Sequence, residues 1–136
     1  MRYCFCIYLL LVVALSQGCH SESIELSTKR GENLEIQAKI YPKFRKFSDR
    51  ESKIDGEIFV KNKTHYPQKF GNSFLFLNVN QEHISRTYKN TKASEVIDFS
   101  TVDIEPNSSI SFPVYWVFSV PETKTVETLN IFYEIK

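Results

Sequence analysis

Only four glycines and three cysteines occur in 136 residues, with one tryptophan and a formal net charge of +1. Each shortage removes a class of chemistry. A phosphate-cradling loop needs clustered glycines, and there is no glycine-rich loop. Structural zinc needs a Cys/His cluster, which is also missing. No Gly-x-Ser-x-Gly elbow is present, and the three imidazoles, His20, His65 and His83, build no catalytic triad with the surrounding residues. Asp98, Asp103 and Glu105 stand close together, but Ca²⁺ takes six or more oxygens, often around a tight glycine turn that this stretch lacks. Near-balanced charge argues against nucleic acid as a partner. The expectation is a non-enzyme with no cofactor and no bound metal.

What the chain does have begins at its N-terminus. Arg2 and the α-amino group make a small positive region, and Cys4 to Leu15 then run without a charge. That run suits the 7–15 residues of an export signal and is too short for the ~20 of a spanning helix. Ser16, Gln17 and Gly18 relax it just before Cys19. Cys4 and Cys6 would leave with the signal, so Cys19 is the only cysteine in the remaining chain. No internal disulfide can form there, and a lone cysteine in an exported protein asks for another use.

The segment Leu15-Ser16-Gln17-Gly18-Cys19 resembles the lipobox of bacterial lipoproteins. The resemblance implies that residues 1–18 are removed and that Cys19 carries a thioether-linked lipid. Gly18 matches directly before the cysteine. Ser16 departs from the family's leucine at the third position before it, and Gln17 is also uncommon there. Small residues at Ser16 and Gly18 also suit ordinary signal peptidase, so a freely secreted chain remains the rival reading. With His20 rather than aspartate after the cysteine, the resemblance favours the outer membrane or cell surface over inner-membrane retention.

Residues 19–136 are the size of one domain. Losing Arg2 balances the seventeen basic against the sixteen acidic residues. Residues 19–33 read as the lipidated cysteine and a polar tether, with room for a short strand at Ile24 to Leu26. From Leu34 the pattern is extended: Leu34, Ile36, Ala38 and Ile40 alternate with polar neighbours, the mark of a half-buried antiparallel strand. A second strand covers Ile54 to Asn62, with a bulge expected at Gly56. Ser73 to Val79 is apolar on both faces and reads as a central strand covered on both sides. His83 to Tyr88 makes a shorter strand, Thr91 to Glu95 a helical turn, and Ile97 to Ile104 extended chain. Glu105-Pro-Asn-Ser108 is a turn. The longest strand aligns Ile110, Phe112, Val114, Trp116, Phe118 and Val120, with Pro113 marking an edge or bulge. Leu129, Ile131, Tyr133 and Ile135 form a last inward row.

About seven short strands with turns between them predict an all-β fold, an antiparallel β-sandwich over residues 34–136. From about residue 54 onward the apolar spacing resembles immunoglobulin-like domains of small bacterial lipoproteins and secreted proteins. It lacks the paired cysteines of antibody domains. The resemblance implies a binding or structural module and transfers no catalytic residues.

Between Lys39 and Lys53, six cations interleave with Tyr41, Phe44 and Phe47, against only Asp49 and Glu51. Lys43, Phe44, Arg45, Lys46 and Phe47 form a candidate interaction loop for anionic lipid or an acidic partner. The plainer expectation is a connecting loop whose aromatics cover the sandwich while its cations face water. Asn62-Lys-Thr64 and Asn107-Ser-Ser109 fit the N-glycosylation rule, and in a bacterial host they are simply turn residues. The composite expectation is an exported lipoprotein, held to a bacterial membrane through Cys19, whose sandwich binds or supports another envelope protein. The alternative is a freely secreted binding or inhibitory module acting through loops 42–53 and 63–72.

Overall fold

A computed structural model describes residues 23–28, 33–69 and 73–135. The signal segment, Gly18 and Cys19 lie outside the described residues. Two antiparallel sheets face each other, as expected for an all-β sandwich. The larger runs β1 (Ile24–Thr28), β2 (Leu34–Ile40), β4 (Ser52–Asn62), β8 (Ser109–Phe118) and β7 (Tyr88–Lys89), with β3 (Arg45–Lys46) also beside β4. The smaller sheet orders β6 (His83–Arg86), β5 (Ser73–Val79) and β9 (Leu129–Ile135). Among the described residues, seven strands have four or more residues, and β3 and β7 are two-residue pairings.

Period-two patterning explains the layers. Ile36, Ala38 and Ile40 of β2 point inward with Ile54, Ile58 and Val60 of β4 and Val114, Trp116 and Phe118 of β8, and all are buried. Opposite them lie Leu75, Leu77 and Val79 of β5 with Ile131 and Tyr133 of β9. β1 pairs from Ile24↔Ile40 to Thr28↔Ile36, so the short strand allowed for within the tether belongs to the sandwich and runs on to Thr28.

Several expectations need correction. Gly56 is not a bulge: its pairing with Ile40 on one side and Val114 on the other continues the ladder without a skipped residue. A Cβ there would meet Lys39 O at 2.5 Å and the Trp116 ring at 2.7 Å, so the glycine makes room for the indole. The helical turn falls at Phe99–Thr101, not at Thr91–Glu95. Asp98 caps it by accepting a hydrogen bond from Ser100 N at 2.8 Å, which interrupts the extended stretch expected there. β5 is central in its sheet, but only its inner row is fully buried; Phe74, Phe76 and Asn78 on the other face are half-buried. Pro113 stays in register opposite Glu57. Its carbonyl accepts from Asn90 N, so its missing N–H faces the side where β7 is only two residues long.

The stretch His83 to Tyr88 is two strands, not one. β6 belongs to the small sheet and β7 to the large one, with the single residue Thr87 between them. Thr87 is fully buried. Its backbone N–H and its hydroxyl both donate to Leu75 O at 3.0 Å, and its carbonyl accepts from Ile97 N at 2.9 Å. The hydroxyl oxygen also accepts the Trp116 indole N–H at 2.7 Å. Ser85, likewise turned inward, accepts from Val117 N at 3.0 Å and ties β6 to β8.

Candidate functional site

β2 ends at Ile40, and the chain enters the aromatic-cationic loop directly. Tyr41 N donates to Asp55 O, Arg45 and Lys46 pair with Lys53 and Ser52, and Phe47 N and Ser48 N both donate to Glu51 O at 3.0 Å. The result is a tight hairpin against the first residues of β4. Its aromatics have divided roles. Phe44 turns into the core, 2% exposed, and meets the Phe118 ring edge-on at 5.7 Å. Phe44 is therefore removed from the set of surface anchors, because the apolar end of the sandwich takes up its ring. Phe47 lies against Tyr115 at 5.8 Å and remains 47% exposed. Tyr115 points away from the core, yet it is buried: Phe47 covers it, Tyr88 stacks on it at 5.6 Å, and Lys53 Nζ lies 5.7 Å from its ring centre.

The cations of the hairpin stay in water. Arg45 approaches Asp55 at 3.7 Å, Lys46 approaches Asp49 at 3.9 Å, and Lys53 holds Asp55 more closely at 3.1 Å. The Lys46–Asp49 pair is solvent-exposed and contributes little to stability, whereas Lys53 and Asp55 are both half-buried. Lys43, Arg45, Lys46 and Lys53 line a shallow depression of about 440 Å³ with Phe44 beneath and Glu122 across it. A second, of about 590 Å³, separates the 46–51 limb from the 119–123 turn and holds both signs of charge. Tyr41 is 41% exposed at the start of the loop. Its outward position follows from the strict alternation that turns Ile40 inward.

The other loop of interest leaves the opposite end of β4. Asn62 is fully buried. Its amide nitrogen donates to Tyr66 O at 2.6 Å and Ile104 O at 2.9 Å, and its amide oxygen accepts from Thr64 N and Thr64 Oγ1. The glycosylation pattern at Asn62 is thus a loop staple whose nitrogen is already engaged. Tyr66, held by this staple, is 73% exposed, and sequence reading did not single it out. Asn107 is exposed and sits in a turn with φ 55°.

Among the described residues, the two histidines lie on separate elements. His65 is exposed in the stapled loop, whereas His83 starts β6 and approaches its sequence neighbour Glu82 at 3.7 Å. Neither depression contains a histidine. Among the described residues, no group of three His, Cys, Asp or Glu side chains is placed to hold a metal. The Asp98 carboxyl lies below the usual carboxylate range, because the Ser100 hydroxyl and then the Ser100 backbone N–H stabilise its charge. Among the described residues, no helix is long and apolar enough to cross a membrane. No protein-family model, no curated protein and no solved structure matches this chain.

Proposed function

We propose that this chain is a small bacterial lipoprotein in which lipid on Cys19 holds an immunoglobulin-like sandwich at a membrane. In this reading the sandwich is a non-catalytic binding or structural module for another envelope protein. The observation that carries the reading is Cys19 itself: the only cysteine after the apolar leader, placed directly behind Gly18. The fold is compatible with it, since the described strands lie within residues 24–135, after Cys19. The β4–β8–β7 arrangement facing β6–β5–β9 supports the immunoglobulin-like part of the proposal.

Growth with labelled palmitate tests the anchor. The wild-type chain is expected to take up label and Cys19→Ser to lose it. Mass spectrometry of the mature N-terminus should find a diacylated cysteine. An unmodified N-terminus would instead identify a freely secreted module acting through loops 42–53 and 63–72.

A further inference from the structure

We propose that the limb Tyr41–Phe47 is a second membrane contact, lying on anionic headgroups of the bilayer that holds the lipid on Cys19. The inference rests on the lipoprotein reading for its geometry and adds the orientation of the domain.

Position is the first argument. Ile24 is paired directly with Ile40, and Tyr41 follows Ile40 in the chain. Ile24 is five residue steps from Cys19, a reach of at most about 18 Å when fully extended. A lipid on Cys19 therefore keeps this end of the sandwich beside the bilayer, while the stapled loop at Asn62 lies at the far end of the same strands.

Chemistry is the second. Between Tyr41 and Phe47 stand Lys43, Arg45 and Lys46 with no acidic residue among them, and all three are exposed. Tyr41 and Phe47 flank them, partly exposed, as aromatic residues that suit the interfacial region. Asp49 and Glu51 lie on the returning limb, where Glu51 accepts the Ser48 hydroxyl. The contacts of Arg45 and Lys46 with Asp55 and Asp49 are long, both cations are themselves exposed, and Asp55 keeps Lys53 as its closer partner, so both cations can turn to phosphate at small cost. Rigidity is the third: the hairpin hydrogen bonds and the buried Phe44 fix the limb in advance, so little ordering opposes binding.

The test uses the chain from His20 onward, which contains every described strand and carries no acyl group. It is co-sedimented with vesicles of phosphatidylcholine alone and of phosphatidylcholine with phosphatidylglycerol, at low and high salt. Binding is expected only to the anionic vesicles and should weaken with salt. Three surface cations correspond to about a hundred-fold in partitioning, so Lys43→Glu, Arg45→Glu and Lys46→Glu together should abolish measurable binding. Lys61→Glu with Lys63→Glu, toward the far end, should change it less than about three-fold. Trp116 fluorescence checks that each variant is folded. Equal binding to neutral vesicles, no binding to either, or indifference to the triple reversal would overturn the proposal. Absence of vesicle binding would leave an acidic protein as the partner of the limb. Because this chain lacks Cys19, the result does not depend on acylation, which palmitate labelling of the full chain reports separately.

Discussion

Replacing Gly56 with alanine should destabilise the sandwich although it adds a single methyl group. At an ordinary strand position the exchange would gain roughly 0.5–1 kcal/mol, because glycine is the costlier residue to order. Here the new Cβ would stand 2.5 Å from the Lys39 carbonyl oxygen and 2.7 and 3.0 Å from two atoms of the Trp116 ring. Neither neighbour yields easily. The carbonyl belongs to the β2 backbone, and the indole is held by its 2.7 Å bond to Thr87. Overpacking of this kind costs about 1–3 kcal/mol, and with two fixed neighbours the net loss should be about 2 kcal/mol. For a domain of this length that lowers the midpoint of thermal unfolding by about 8 °C. Trp116 is the only tryptophan, so urea unfolding followed by its fluorescence reads the effect at the site of the clash. Trp116→Phe removes the ring atoms in contact, and in that background, followed by circular dichroism, Gly56→Ala should cost less than about 1 kcal/mol. A loss under about 0.5 kcal/mol in the wild-type background would refute the packing argument.

Thr87→Val keeps the shape but leaves the Trp116 N–H without its acceptor, for a loss of about 1–3 kcal/mol in urea unfolding; Thr87→Ser should recover most of it. Asn62→Ala strips donors from the Tyr66 and Ile104 carbonyls, and a loss of about 2 kcal/mol is expected together with faster proteolysis at the 63–69 loop. Asp98 has its folded pKa below the unfolded value, so its contribution is fully present above about pH 4 and fades as pH falls through the folded value. Asp98→Asn should remove that part of the acid dependence in a pH series of denaturation curves.

The strands with one wet face were legible because their neighbours repeat every second residue. Leu34 to Ile40 and Ile110 to Phe118 lie as their alternation predicts, and the proline at 113 sits where its missing donor does no harm. The stretch His83 to Tyr88 shows why other parts were hidden. There Ile84 points to solvent while Ser85 and Thr87 turn inward, reversing the usual rule, since both hydroxyls serve partners on β8. Those partners are about thirty residues distant in sequence, and no local pattern announces them. Phe44 was half-legible: the plainer expectation had the loop's aromatics covering the sandwich, but which ring turns inward is decided by Phe118 at the end of β8. The cationic character of Lys43, Arg45 and Lys46 could be read directly, whereas their nearness to the start of β1 required the pairing of Ile24 with Ile40.

Because one residue carries the chain from β6 across to β7, neither layer can peel away while the other persists. Pulling the small sheet loose would draw the Thr87 hydroxyl out of the interior and strand the indole at the same moment. The backbone amides of Thr87 and Ile97 should accordingly be among the last to exchange with deuterium, opening only when the whole molecule does.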